Sequence, residues 1–282
     1  MLASGILFTN ETAAPIEWQF VKLCAERVDT MTLEAFFKQH PKVALGFSGG
    51  VDSSFLLHAA KKYGADVRPY FIKTQFQPDF ELQDAHRLAE EMQVPLTVLH
   101  MDALKNTEAA KNDADRCYHC KKWLFGYLKD AALSDGYTVL IDGNNASDDT
   151  GDRPGMKAAE ELEVLSPLRL CGLTKADVRR HSKEAGLFTW NKPAYACLAT
   201  RVPTGTKITA GYINMVGDAE KVLAALGFWD FRVRLLGEAA RIQVQEAQME
   251  KLLEKRAEII EALPSFSAVL LDLMPRPENV VK

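Results

Sequence analysis

Apolar positions along the chain follow two rhythms that alternate. Between residues 16 and 39, Phe20, Leu23, Cys24, Leu33, Phe36 and Phe37 recur at helical spacing, and Pro41 closes the segment. VALGF (43–47) is a short, wholly apolar run that reads as a buried strand. FLLHAAKKYG continues as a helix that Gly64 stops. DVRPYFIK (66–73) predicts a second strand. The segment 78–92 then places Phe80, Leu82, Ala85, Leu88 and Ala89 on one side of a helix. PLTVLHMD (95–102) predicts a third strand, KKWLFGYLKDAAL a helix, and YTVLID (137–142) a fourth strand. A further helix is expected over 173–186, with Thr174 as its N-cap and Gly186 as its stop.

Strands alternating with helices of this length predict an α/β fold: a parallel sheet with helices on both faces. In such sheets, ligands sit beyond the carboxyl ends of the strands. Three polar, glycine-containing or turn-rich loops fall there, at 48–53, 74–79 and 142–155. They place one site on one edge. The segment NKPAYACLATRVPTG (191–205) has little periodicity and reads as a functional loop. Beyond it, a helix (210–226), strands FRVRLL and ARIQV, a helix (246–262) and a strand SAVLLDL describe a small α+β unit. The expected division is residues 1–203 and 204–282.

Length and charge narrow the classes. At 282 residues the chain suits a mid-sized α/β domain plus a smaller one. Its net charge of -4 speaks against a nucleic-acid-binding surface, which is usually basic. No apolar run approaches the roughly 18 residues of a membrane span. The N-terminus lacks the basic and apolar stretches of an export signal, so a cytoplasmic location is expected. Five cysteines, an odd count in such a chain, argue against a disulfide framework.

Ser48-Gly49-Gly50-Val51-Asp52-Ser53 lies between a predicted strand and a helix. Glycines let backbone N–H groups approach phosphate oxygens, the helix N-terminus adds partial positive charge, and Ser48 and Ser53 add hydroxyls. There is no GxxxxGK[ST] string, which disfavours kinase-like chemistry. The SGGxDS string resembles the PP-loop ATP pyrophosphatases, which cleave ATP to AMP and pyrophosphate and leave an adenylated substrate. The resemblance implies that Ser48, Gly49, Gly50, Asp52 and Ser53 hold the phosphates while Mg²⁺ screens them. Lys73, at the end of the second predicted strand, is a candidate nucleotide neighbour.

Cys117 and Cys120 form a CxxC pair. On spacing alone, this fits a zinc site using His119, a redox disulfide, or a cluster. Zinc wants four ligands, and no second CxxC or HxxxH completes such a set. Cys197 sits among Pro193, Thr200 and Arg201, neighbours foreign to a core, and Arg201 is expected to depress its thiol pKa. Three thiolates can hold a [4Fe–4S] cluster and leave one iron open. Cys24 and Cys171 read as structural. Arg232 and Arg234 alternate on one predicted strand and so share a face. Glu220 is a candidate for orienting substrate or metal. Asp148, Asp149 and Asp152 fit either Mg²⁺ binding or a solvated loop.

Five further blocks sharpen the resemblance: RCYHCK (116–121), DGNNASDDTGDRPG (142–155), SPL (166–168), KPAYACLATR (192–201) and FRVRLLGEAARI (231–242). In this order they resemble the LarE family of ATP-dependent sulfur transferases of nickel-pincer cofactor biosynthesis, over about residues 30–280. That resemblance implies adenylation of the carboxylates of pyridinium-3,5-biscarboxylic acid mononucleotide and their conversion to thiocarboxylates. It implies that Arg232 and Arg234 bind the acceptor's phosphate. It further implies that a member with CxxC plus the loop cysteine uses a [4Fe–4S] cluster on Cys117, Cys120 and Cys197 with sulfide or another sulfur donor. In other members, the loop cysteine is sacrificed. A homo-oligomer is expected. Two positions depart from the family's pattern: Asn144 stands where Thr is common, and Gln243 where Glu is expected. The rival readings are a cluster-bearing PP-loop tRNA thiolase and a non-catalytic nucleotide-binding module.

Overall fold

The computed structural model describes residues 31–148 and 154–276. Most of the expected first helix, Cys24, Asp149 and Asp152 lie outside the described residues. The helix over 16–39 is seen as α1 (Leu33–Gln39), N-capped by Thr32, with Phe36 and Phe37 buried.

The first sheet has four parallel strands in the order β3-β2-β1-β4: β1 (Lys42–Gly46), β2 (Asp66–Lys73), β3 (Thr97–His100) and β4 (Leu140–Ile141). Val43, Ala44 and Leu45 of the central strand are fully buried. That matches the unbroken apolar run of a strand covered on both faces. Between the strands run α2 (Val51–Lys62), α3 (Asp79–Glu91), α4 (Thr107–Lys111) and α5 (Arg116–Ser134). Leu128 and Ala132 of α5 pack on Ala44, Tyr70 and Leu140. The α/β class expected from the sequence is the class observed.

Boundaries shift where polar groups compete with the ladder. β4 is two residues long, not six, because Asp142 turns out of the sheet to organise a loop. α5 begins at Arg116, so CYHC forms its first turn and does not precede it. Three short helices escape the periodicity: α4, α6 (Pro154–Glu161) and α7 (Pro167–Leu170). α8 (Lys175–Glu184) starts at a full capping box: Thr174 accepts from the Asp177 amide, and Asp177 reciprocates.

The second sheet has the order β5-β6-β7, from β5 (Arg232–Leu236), β6 (Ala239–Gln243) and β7 (Val269–Leu271). β5 and β6 are antiparallel, and β7 runs parallel to β6. α9 (Ala210–Ala225) packs on it. The expected helix over 246–262 is broken at Lys255 into α10 (Met249–Glu254) and α11 (Arg256–Ala262). Phe76, Leu198, Ala199 and Val202 share a core with Ile213, Val216, Val233 and Ile242. The weakly periodic segment around Cys197 is therefore packed beneath the second sheet. Among the described residues no helix is long and apolar enough to cross a membrane.

Candidate active site

β1 runs through Phe47 into the loop Ser48–Ser53 and then α2. Gly49 has φ +66°, and a Cβ there would stand 3.2 Å from the Glu81 carbonyl oxygen and 3.3 Å from the Ala85 nitrogen. Only glycine satisfies both the dihedral and the contact. Inside the loop, the Ser48 amide donates to Ser53 Oγ (3.3 Å), the two serine hydroxyls lie 3.1 Å apart, and the Gly50 amide donates to Ser48 Oγ (3.3 Å). Ser54 Oγ donates to the Gly50 carbonyl at 2.7 Å. No side chain caps α2, so its N-terminal dipole faces the loop.

The 142–148 loop closes against this turn. A Cβ on Gly143 would lie 2.9 Å from the Ser53 nitrogen, so glycine alone permits the approach. Asp142, 4% exposed, holds the loop by accepting from the Asn144 amide and side chain and from Ser166 Oγ. Asn145 Nδ2 donates to Asp52 Oδ1 at 3.2 Å, and Lys175 Nζ donates to Asp52 Oδ2 at 2.5 Å. Asp148 accepts from the Asn145 amide through its carboxylate and from Arg169 through its carbonyl. It therefore helps shape the loop.

Beside the loop lies a cleft of about 1200 Å³ between the ends of β2 and β3 and the second sheet. Lys73, Phe80, Lys192, Tyr195, Trp229 and Arg232 are among its lining residues. Lys73 donates to the Gln77 carbonyl and to Asp79. Lys192 belongs to cleft and loop alike: its Nζ stands 3.1 Å from the Gly49 carbonyl oxygen and 2.6 Å from Asp84. Its backbone is pinned by Arg179, which donates to the Trp190 and Lys192 carbonyls. Nearby, burial pushes the Glu81 carboxyl up to about 7, against the pull of Lys192 and Lys73.

Cys117 and Cys120 lie three residues apart in the first turn of α5, and Cys197 begins the 3-10 turn 198–201. All three thiols are free, with Cys117 exposed and the other two half-buried. They sense one another. Burial first, then Cys197 and Cys117, push the Cys120 thiol up to about 12. Burial outweighs the expected downward pull of Arg201 and holds the Cys197 thiol above its ordinary value. Arg116 opposes that rise more than Arg201 does.

His119 Nε2 is 2.9 Å from Asp115. Among the described residues no three His, Cys, Asp or Glu side chains converge as a single-ion site needs. A tetrahedral ion wants every donor within about 2.0–2.3 Å of one point. A cuboid iron–sulfur cluster instead gives each iron its own thiolate. Cys117, Cys120 and Cys197 are near enough to influence one another's titration, and three thiolates are the number that leaves one iron of such a cluster open.

Arg232 and Arg234 share one face of the second sheet with Arg241 and Gln243, which lie opposite them in the ladder. Arg232 is buried and donates to the Phe231 and Ala194 carbonyls, both at 2.6 Å. Burial, then the charges of Arg201 and Arg276, bring it down to about 10. Arg234 is lowered by burial and by Arg201, Arg241 and Arg276, and it donates to Gln243 Oε1 at 2.8 Å. An acid at position 243 would offset one of the three positive charges of this face, which glutamine leaves in place.

Arg201 and Glu220 differ from expectation. Arg201, at 1% exposure, gives Nε (2.6 Å) and Nη2 (3.3 Å) to Glu220. Glu220 also accepts from the Tyr195 hydroxyl and the Val233 amide. The pair braces the cleft wall, and Glu220 also lines the cleft. Cys171 is half-buried, its thiol pushed up to about 11 by burial, in line with a structural role.

Sequence reading missed Lys175, Lys192, Asn145, Gly143, Tyr195 and Arg116. Gly143, directly after a strand end, carried a legible signal. The lysines carried none, since Lys175 meets Asp52 across 123 residues.

Comparison with known proteins agrees with this geometry. The asparagine synthase family matches residues 34–146. The pyridinium-3,5-bisthiocarboxylic acid mononucleotide synthase of Lactiplantibacillus plantarum is 35% identical over 86% of this chain and 89% of its own length. An uncharacterized protein of Synechocystis sp. is 32% identical over 86% of this chain and 91% of its own length. A tRNA-specific 2-thiouridylase of Thermotoga sp. is 26% identical over 54% of each chain. With more than a third of its residues identical over most of both chains, the chain belongs to the family of the Lactiplantibacillus plantarum synthase, the LarE family.

Proposed function

We propose that the protein is an ATP-dependent sulfur transferase that adenylates a carboxylate of pyridinium-3,5-biscarboxylic acid mononucleotide and converts it to a thiocarboxylate. One observation carries the reading: residues 192–201 touch the phosphate loop through Lys192, the arginine strand through Ala194 and the thiol group through Cys197. Nucleotide, acceptor and sulfur chemistry thus meet along one segment. In this reading residues 1–203 handle ATP and 204–282 hold the acceptor's phosphate.

Ser48, Gly49, Gly50 and Ser53 offer amides and hydroxyls to the ATP phosphates, and Asp52, held by Lys175 and Asn145, would hold the Mg²⁺ that screens their charge. The acceptor's carboxylate oxygen attacks the α-phosphorus, pyrophosphate leaves, and an acyl adenylate results. Arg232 and Arg234 hold the acceptor's phosphate, aided by the neutral Gln243. Sulfide then adds to the acyl carbon and AMP departs with the bonding pair. When bound by Cys117, Cys120 and Cys197, a [4Fe–4S] cluster supplies an iron without a protein ligand at which sulfide is accepted. The protein acts in the cytoplasm as a homo-oligomer.

The test is an anaerobic assay of AMP and pyrophosphate with ATP, sulfide and the pyridinium acceptor, followed by intact mass. Repeated turnover with unchanged mass is expected. Loss of the mass of H₂S at Cys197 would establish a sacrificial cysteine. Pyrophosphate release driven by tRNA and not by the acceptor would establish a thiouridylase. Binding of ATP without any release would leave only a nucleotide-binding module.

A further inference from the structure

The two segments that bring the thiols together are distant in sequence. Cys117 and Cys120 ride on α5, while Cys197 precedes the turn 198–201. Something must hold these segments in register, and hydrogen bonds show what does. Asn112, fully buried and in the left-handed region at φ +65°, gives its side-chain amide to the Val202, Pro203 and Thr206 carbonyls. Its backbone carbonyl accepts from the Gly205 amide, and the Ala110 carbonyl accepts from Ile208. The turn before α5 is thereby sewn to the chain that follows Cys197.

Arg116 extends that seam to the sulfurs. Its Nη1 donates to Asn112 Oδ1 (2.5 Å) and to the Ala199 carbonyl (3.2 Å), two residues past Cys197. Its Nη2 lies 3.7 Å from Cys117 Sγ, within reach of an N–H···S contact. One planar guanidinium therefore touches the scaffold, the third cysteine's turn and the first cysteine's sulfur. A lysine has the charge but not the fork.

We propose that Arg116 is a positioning residue of the sulfur site: it fixes Cys117 and Cys120 opposite Cys197 and donates a hydrogen bond to a sulfur ligand of the cluster these cysteines hold. The inference rests on the cluster reading above and adds a residue to it. Hydrogen bonds to ligand sulfur and local charge set the reduction potential of such a centre. Groups that orient ligands typically account for about ten- to a hundredfold in metal affinity.

The test uses the full chain loaded anaerobically with iron and sulfide, as wild type, Arg116→Gln and Arg116→Lys. Iron per chain, the rate of iron loss to a chelator, the visible spectrum and the midpoint potential are read on each, with far-ultraviolet circular dichroism to confirm folding. Arg116→Gln is expected to lose iron at least about tenfold faster and to show a more negative potential, because a donor and a positive charge are gone. Arg116→Lys, which keeps the charge, should recover part of the potential but not the retention. If Arg116→Gln matches wild type in both retention and potential, the inference fails while the cluster reading stands. If Arg116→Gln is unfolded, Arg116→Lys decides alone, and wild-type retention there overturns the proposal. If wild type itself takes up no iron, the cluster reading and this inference fall together.

Discussion

Replacing Glu81 by glutamine should stabilise the protein in alkali and leave it unchanged in acid. Burial raises this carboxyl from an ordinary 4.5 to about 7. The folded state therefore binds the proton more tightly than the unfolded chain does. Below about pH 4.5 the group is protonated in both states and costs nothing. As pH rises towards 7 the unfolded chain ionises first, and folded stability falls. Above about 7 the full cost is present. At about 1.4 kcal/mol per pKa unit, the rise corresponds to a ceiling of about 3 kcal/mol. Partial access of water to this surface brings the expected gain to about 1–3 kcal/mol. Glutamine keeps the shape and removes the charge. Urea titrations of wild type and Glu81→Gln at about pH 3.5 and about pH 8.5 measure the difference. Equal stability at the acid pH and a higher midpoint for the variant at the alkaline one are expected. A constant difference at both pH values, or a variant weaker at the alkaline one, would refute the reasoning.

Three further outcomes follow from the site. Glu220→Gln leaves the buried Arg201 charge without its counter-ion, so stability should drop by about 3–5 kcal/mol in denaturant titration; a loss below about 1 kcal/mol would show that the pair is not structural. Gly143→Ala forces a methyl group against the Ser53 nitrogen, a clash expected to cost about 1–3 kcal/mol. Thermal melting and ATP calorimetry should both record it, and wild-type values in both would contradict the close approach. Arg232→Ala and Arg234→Ala should weaken acceptor binding at least about tenfold while sparing ATP, since charged hydrogen bonds contribute about 1.5–3 kcal/mol; a fall in ATP affinity would move the two arginines to the other half of the site.

The parallel sheet was legible because its signals are local. An apolar run such as Val43–Leu45 has to be buried on both faces, and Thr174 with Asp177 marks a helix start within four residues. The phosphate loop was legible for the same reason, since its glycines and serines are consecutive. What escaped was set by tertiary contact. Lys175 reaches Asp52 and Lys192 reaches Gly49 only because the fold brings distant segments together. Arg201 read as an activating charge from its neighbourhood to Cys197. Its partner, Glu220, lies 19 residues on, and no local pattern announces the pairing. The sign of the Cys197 shift was likewise hidden, because depth of burial is a property of the packed chain.

The segment from Lys192 to Cys197 acts as a leash. Five residues can span at most about 18 Å even when fully drawn out. The two Cα atoms therefore stay within that distance, and the Lys192 ammonium and the Cys197 sulfur can exceed it only by the reach of their own side chains. In the proposed reaction, an acyl adenylate would then need no passage through water to meet its sulfur. The same leash makes spacing a chemical variable. On the proposed reaction, one residue inserted between Pro193 and Ala196 would leave every functional group intact while moving the delivery point away from the carbon it must reach.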